Sequence, residues 1–367
     1  FIDGYVKENI PIDYWWMDAG WYPCFDEWWK TGTWEPDPAR FPKGLREVSD
    51  HAATYGIKTL VWFEPERVHS GSWLAENHPE WLLPGDPDSL FDLGNPEAWA
   101  WAVQHFDRLV KEQRIGYYRQ DFNMPPLDYW RRNDAADRQG ITEIRHVEGY
   151  LAYWDELRRL NPGLLIDTCA SGGRRNDLET LRRAIPLHRS DYHRDPDANQ
   201  AQTYGIAQWM PFFGIGGGGD DYILRSTVAP CNTFGVDMRI ENQNLDSMRE
   251  HLALRDRIKK FYLGDFYPLS AWSLDLSLWM AWQYDLPEAG QGMIQVFRRD
   301  QSEYEAAAYR LRGLNSELFY RIEDVDVGEI GVFKGQELME RGFRVTIPEK
   351  RTAKVFIYTA CEHPHAG

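Results

Sequence analysis

KTLVWFEPE (Lys58–Glu66) is the stretch on which the reading of this chain turns. A short apolar run, Lys58–Phe63, stops on two glutamates set around Pro65, which reads as a strand delivering acidic side chains at its C-terminal end. Working outward, Ile12–Met17, Gly116–Gln120, Leu164–Thr168 and Leu187–Ser190 are runs of the same kind. Between them Gly44–Tyr55, Pro96–Gln113, Glu143–Leu160 and Asp177–Ala184 carry helical periodicity, several with Asn or Asp near the start. Strands alternating with helices imply βαβ units and a parallel sheet. The number of units favours an α/β fold of the (β/α)8 TIM-barrel type over a doubly wound sheet. A last helix is expected from about Asn242 to Phe261, then Gly264-Asp265 and Pro268. Beyond it, Met293–Phe297, Ala306–Leu311, Phe343–Ile347 and Lys354–Tyr358 are short runs split by turn residues. The expected domains are therefore a barrel over residues 1–264 and a small antiparallel β-sandwich over residues 265–367.

The chemistry sits at the ends of the strands, where such barrels build their active sites. Asp18 follows YWWM, Glu64 and Glu66 follow VWF, Asp121 follows GYYRQ, Cys169 follows LLIDT and Asp191 follows LHRS. Carboxylates terminate four of these five runs, so they converge on one barrel mouth. Cleavage of a glycosidic bond requires two facing carboxyl groups, one protonated to donate to the leaving oxygen and one ionised to attack. Arg119 beside Asp121 is placed to keep that carboxylate ionised.

Composition narrows the partners. With 41 Lys+Arg against 57 Asp+Glu the formal net charge is −16, which argues against nucleic acid and anionic membrane surfaces. Ala198–Gly219, the longest uncharged stretch, is too polar for a transmembrane helix. Four cysteines without a CxxC pair indicate neither a zinc site nor a disulfide framework and carry no signal of compartment. Eleven of the 17 tryptophans fall within the first 101 residues, a density that suits stacking on sugar rings and also suits a large core. Asp195-x-Asp197-x-Asn199 begins like a calcium loop, but Gln200 and Ile206 stand where Gly and Glu are needed. No HExxH motif is present, and Gly216–Gly219 is not followed by the Lys-Ser/Thr of a phosphate loop.

Taken together, MDAGWY (17–22), VWFEPERV (61–68), YYRQDFN (117–123), CASGGRRND (169–177) and HRSDY (188–192) resemble the α-galactosidases of glycoside hydrolase family 36. WMAWQYDLPEAGQGMIQVFRR (279–299) is similar to that family's C-terminal β-sandwich. The resemblance implies a retaining double displacement without metal or organic cofactor. Asp121 would be the nucleophile and Asp191 the acid/base, about 5–5.5 Å apart as in retaining pairs. Asp18 matches a carboxylate that holds the 4- and 6-hydroxyls of galactose, and Trp62 an apolar wall of the sugar site. Arg119 and Asn123 would add polar contacts to the glycone. Cys169 and Gly172 would flank the sugar's 2-position, with Arg174 in the pocket wall. Ala19, Arg119 and Gln120 depart from the family's Asp, Lys and Trp, which touches how the sugar is held more than how the bond is cut.

The expected activity is exo-hydrolysis of terminal α-galactosyl residues from oligosaccharides or glycoconjugates. α-N-acetylgalactosaminidase with the same mechanism, and a non-catalytic carbohydrate-binding relative or inert fragment, stay open. Family members are frequently homo-oligomers, but no stretch identifies the contact surface; Trp28-Trp29 and Trp34 fit an aglycone platform or an oligomer contact equally. The chain opens on Phe1–Asn9, which reads as the first helix, so the first barrel strand and the family's N-terminal β domain are expected to precede this sequence.

Overall fold

Period-two alternation gives each parallel strand two faces with different duties. The computed structural model describes residues 1–241 and 243–362, which form two compact units, one ending at Arg189 and the other starting at Ser190. The first unit runs α1 (Ile2–Lys7), β1 (Tyr14–Met17), α2 (Arg46–Thr54), β2 (Lys58–Phe63), β3 (Arg67–His69), α3 (Trp73–Asn77), β4 (Leu82–Leu83), β5 (Asp88–Phe91), α4 (Pro96–Glu112), β6 (Tyr117–Gln120), α5 (Leu127–Asn133), α6 (Ile141–Leu160), β7 (Leu165–Thr168) and α7 (Leu178–Leu181). Strands β1-β2-β6-β7 make one parallel sheet in that order, each pair joined through a helix. β3, β5 and β4 form a small antiparallel sheet that interrupts the β2–α4 connection and was not expected.

The register aligns Trp62 with Arg119 and Asp167, and Phe63 with Gln120 and Thr168. Trp62, Arg119 and Asp167 therefore share one face, while Val61, Phe63, Tyr118, Gln120 and Ile166 share the other. That second face meets the helices: Phe63 lies edge-on to Phe106 of α4, and the hydroxyls of Tyr118 and Tyr153 of α6 are 2.9 Å apart. Trp154 of α6 donates from Nε1 to Gln120 Oε1 at 2.7 Å. Most early tryptophans serve this core, where Trp21, Trp34, Trp62 and Trp81 are buried together.

One strand reads differently from the sequence. Leu187–Ser190 is not a strand; the fifth position is a single parallel bridge between Asp167 and Ile185. The reason is local, because Leu187 N donates to the buried carboxylate of Asp167 at 2.8 Å and is lost to a strand ladder. Likewise Asp177–Ala184 shortens to the four residues of α7, which Asp177 caps by accepting from Thr180 N at 3.0 Å.

The second unit continues with α8 (Pro196–Ile206), β8 (Gly214–Gly216), α9 (Asp221–Ser226), β9 (Cys231–Thr233) and α10 (Asp246–Ile258), with β8 and β9 parallel. Asn242, the expected start of the last helix, lies outside the described residues, as do residues 363–367 of the expected sandwich. Asp195-x-Asp197 opens α8: Asp195 caps it by accepting from Asp197 N and Ala198 N, with Pro196 in the first turn. Antiparallel strands begin at Asp265, and the six-stranded order is β10 (Asp265–Pro268), β11 (Met280–Leu286), β12 (Gln291–Arg298), β17 (Thr352–Cys361), β14 (Phe319–Asp324), β15 (Gly328–Lys334). β13 (Ala306–Tyr309) pairs with β16 (Phe343–Thr346), and α11 (Gly335–Glu340) lies between β15 and β16. One side of this sheet buries Ile294, Val296 and Phe356 against Tyr309, Phe343 and Val345, which makes the expected two-layered β domain. The other side buries Met280, Trp282 and Val355 against Tyr222, Ile258 and Phe261, so these helical segments share a core with the β domain.

Candidate active site

Residues one step beyond each strand inherit its alternation, so Asp121 projects on the same face as Arg119. Asp121 is 8% exposed, and its carboxylate lies among donors. Oδ1 accepts from Phe122 N at 2.7 Å and Ser171 N at 3.3 Å, and Oδ2 accepts from Trp62 Nε1 at 3.1 Å. Burial pushes this carboxyl up; the Arg119 charge and donors from Asn123, Cys169 and Trp62 outweigh it and hold it below the usual range. Burial also pushes the Cys169 thiol up, which leaves it a neutral S–H donor to Asp121.

Arg119 is buried beneath the carboxylate, paired through Nη1 with Asp167 and stacked 4.5 Å over the Trp16 ring. Burial opposes its charge, but Asp167 and Asp121 sustain it. Asp18, exposed at the end of β1, accepts from Trp16 Nε1 and from Ala19 N, each at 2.8 Å. Trp62 is fixed from behind, since Trp21 Nε1 donates to its carbonyl at 2.8 Å.

The turn after β7 closes the wall. Ser171 and Gly172 take left-handed backbone, φ +44° and +82°, which lets Ala170 N reach Gly172 O at 3.1 Å and aims Ser171 N at Asp121. Gly173 must stay glycine, because a Cβ there would stand 2.5 Å from the Arg189 carbonyl oxygen. Arg174 spends its guanidinium on Ala170 O, Phe122 O and Ser171 Oγ, so it braces the two loops that carry Asp121 and Ser171.

The two glutamates of the opening stretch part company, because a turn closed by Arg67 N on Glu64 O separates them. Glu66 is fully buried and faces the helices. Arg175 Nη1 and Nη2 donate to it at 2.7 and 2.6 Å, His146 Nε2 at 2.8 Å and Gln120 Nε2 at 2.9 Å. It is a structural ion pair outside the reactive face. Burial pushes its carboxyl up, yet Arg175 and His146 bring it down to about 2.

Glu64, which the sequence marks as a strand-end carboxylate without giving it a role, stays on the site side. It pairs with Arg67 at 3.1 Å and accepts from Asn123 N, and from Asn123 Nδ2 at 3.3 Å. Asn123 in turn receives Ser171 Oγ on its Oδ1 at 3.0 Å and donates to Asp121, so Glu64 positions the amide that serves the carboxylate. Burial raises Glu64 to about 7. An acid raised from its ordinary 4.5 contributes stability below that value and loses it as pH climbs through 7. Glu64→Gln is therefore expected to gain about 3 kcal/mol on the parent between pH 4.5 and 8, read by urea melts at both pH values. A pH-independent difference would show that Glu64 does not titrate there.

Thus the structure gathers Asp121, Trp62, Arg119, Asn123, Cys169, Gly172 and Arg174 in the first unit with the strand-end Glu64, and adds Arg67 and Ser171. Asp191 is exposed near the start of the second unit, where Tyr192 N donates to Ser190 Oγ at 3.1 Å.

Comparisons with known proteins bear on this site. α-Galactosidase 1 of Pediococcus pentosaceus is 24% identical over 96% of this chain and 51% of its own. The crystal structure of an α-galactosidase from Lactobacillus brevis superposes with a TM-score of 0.85 at 20% identity, over 100% of this chain and 53% of that one. A variant of the family 36 α-galactosidase AgaA from Geobacillus stearothermophilus, in complex with raffinose, gives 0.84 at 19% identity over 98% and 53%. The fold is accordingly that of a TIM barrel followed by a β domain, and the chain spans about half the length of the relatives it matches. The melibiase pattern matches residues 5–217, which carry β1, β2, β6, β7, the strand-end residues Asp18, Asp121 and Cys169, and Asp191. With more than half of the chain matched, the chain belongs to the melibiase family.

Proposed function

We propose that this chain is the catalytic part of a retaining exo-α-galactosidase, with residues 1–264 as barrel and 265–367 as C-terminal β domain. The observation that carries the reading is the Asp121 carboxylate, buried, gripped by Trp62, Phe122 and Ser171, and kept ionised by Arg119. Such a group can attack an anomeric carbon without first losing a proton, and its orientation is set before substrate arrives.

In this reading Asp121 Oδ forms a bond to C1 as the glycosidic C–O bond breaks. Asp191 gives its proton to the departing oxygen, then takes one from water as water attacks C1 and frees Asp121. Two inversions leave the anomeric configuration as it began. Asp18 receives the axial 4-hydroxyl and Trp62 faces the apolar side of the ring. Positive charge developing at the ring oxygen is stabilised by the Asp121 carboxylate. Relatives named α-galactosidase support this sugar over others.

The test is aryl α-galactoside hydrolysis followed by ¹H NMR, beside the α-N-acetylgalactosaminide and the α-glucoside. The first-formed sugar is expected to be α-galactose, mutarotating later to the mixture. A β-configured first product would overturn the retaining mechanism. Preference for the acetamido sugar would move the assignment to α-N-acetylgalactosaminidase, and carbohydrate binding without turnover by folded protein would overturn the enzyme.

A further inference from the structure

The buried Glu64 and the Asp121 carboxylate share a side chain. Asn123 Nδ2 donates to Glu64 Oε2 at 3.3 Å and, with its second hydrogen, to Asp121. Asn123 N donates to Glu64 Oε1, and Ser171 Oγ donates to the amide oxygen at 3.0 Å, which pins the amide between the two carboxyl groups. Glu64 is fully buried and presents no atom to a sugar, so it reaches the reaction only through its neighbours.

A second link is electrostatic. Burial first, and the Asp121 charge after it, raise the Glu64 carboxyl against the pull of Arg67 and Asn123. Interaction between two charges is mutual, so an ionised Glu64 weakens the hold that Arg119 and the donors keep on the Asp121 charge. Arg67 sets the scale of the effect. It is 6% exposed, pairs with Glu64 at 3.1 Å, donates from Nη2 to Asn123 O at 2.9 Å and has no other ion-pair partner among the described residues. With Glu64 protonated, this cation stands uncompensated beside Asn123; with Glu64 ionised, the two charges cancel. From the loop between β1 and α2, Tyr22 also faces Glu64, and burial first and then the Glu64 charge keep its hydroxyl protonated.

We infer that Glu64 is a positioning residue for the nucleophile, which acts through Asn123 and against Arg67 so that its ionisation loosens the grip on the Asp121 charge and speeds glycosylation. Forming the bond from Asp121 to C1 carries negative charge away from that carboxylate to the leaving group. A site that holds the charge less tightly beforehand, with the carboxylate still ionised, has a smaller barrier to cross. The inference rests on the glycosidase reading above and adds a regulation of the same site.

α-Galactosyl fluoride isolates the step. Its C–F bond breaks as Asp121 bonds to C1, and fluoride departs as the anion, so no proton from Asp191 is needed and kcat/KM reports glycosylation alone. Measurements at pH 6 and pH 8 straddle the value of about 7 to which burial raises Glu64. The ratio of kcat/KM at pH 8 to that at pH 6 is expected to be about fivefold in the parent and close to one in Glu64→Gln, whose fold circular dichroism checks. Asn123→Ala, which removes the shared amide, is expected to lower the ratio as well, and a parent-like ratio there overturns the bridge. A parent ratio of one or below, or the same ratio in Glu64→Gln, overturns the proposal; equal losses at both pH values are what a merely structural role gives. If the parent leaves the fluoride intact, the galactosidase reading fails by itself, and the ¹³C resonance of the Asp121 carboxyl, assigned with Asp121→Asn, decides. A step in that resonance near pH 7 that vanishes in Glu64→Gln supports the link, and a step absent from the parent or present in both ends it.

Discussion

Asp121→Asn is expected to reduce aryl α-galactoside turnover by roughly 10⁴–10⁶-fold, the scale on which removal of a nucleophile from a preorganised site acts. The substitution keeps shape and two of three partners: with the amide oxygen in the place of Oδ1, Phe122 N and Ser171 N still donate to it, while Trp62 Nε1 loses its acceptor to the amide nitrogen. What disappears is the negative charge on which Arg119 acts, so the site retains its geometry and loses its nucleophile. Affinity for galactose should consequently fall much less than kcat. External azide offers the decisive readout, since a small anion entering the space in front of the amide restores turnover and yields a β-galactosyl azide. Activity within tenfold of the parent, on protein freed of contaminating enzyme, would remove Asp121 from the nucleophile's position.

The second large effect concerns stability. Arg175→Ala is expected to cost about 3–5 kcal/mol, because it leaves the buried Glu66 carboxylate without its bidentate partner. On a chain of this size each kcal/mol moves the melting temperature by roughly 2–4 °C, so a fall on the order of 10 °C follows. The guanidinium also stacks 4.3 Å over both Phe122 and Tyr150, so packing is lost together with charge. The pH dependence has a defined sign. A carboxyl brought down from 4.5 to about 2 contributes stability above 4.5 and loses it as pH falls through 2, about 3 kcal/mol in all. Parent and Arg175→Ala should therefore differ most near neutrality and converge towards pH 2 in denaturant melts. A constant difference across that range would mean that packing alone accounts for the loss.

The contrast between Asp121 and Glu66 shows how far the one-dimensional pattern reached. Both sit at the end of a strand and both looked like members of one acidic mouth. Their fates diverge because Arg175 and His146, 109 and 80 residues away, surround Glu66 from the helix side. Glu64 was read only as a strand-end carboxylate, without its positioning role, for a related reason: its link to Asp121 runs through Asn123 and exists only where β2 and β6 are adjacent. The β14–β15 hairpin was missed although Tyr320, Ile322 and Asp324 alternate inward, since Arg321 and Glu323 between them dilute the apolar signal.

By itself the sequence determined the parallel strands in their order along the chain and the residue at each strand end, because alternation and turn chemistry act over neighbours. Strand β1, β2, β6 and β7 fall within two residues of the runs read from it. The tertiary structure alone decided which strand-end carboxylates are neutralised inside the core and which stay available, since a carboxyl's charge depends on what folds against it. It also decided that the tryptophans divide between a buried core and the surface, a division set by the space around them.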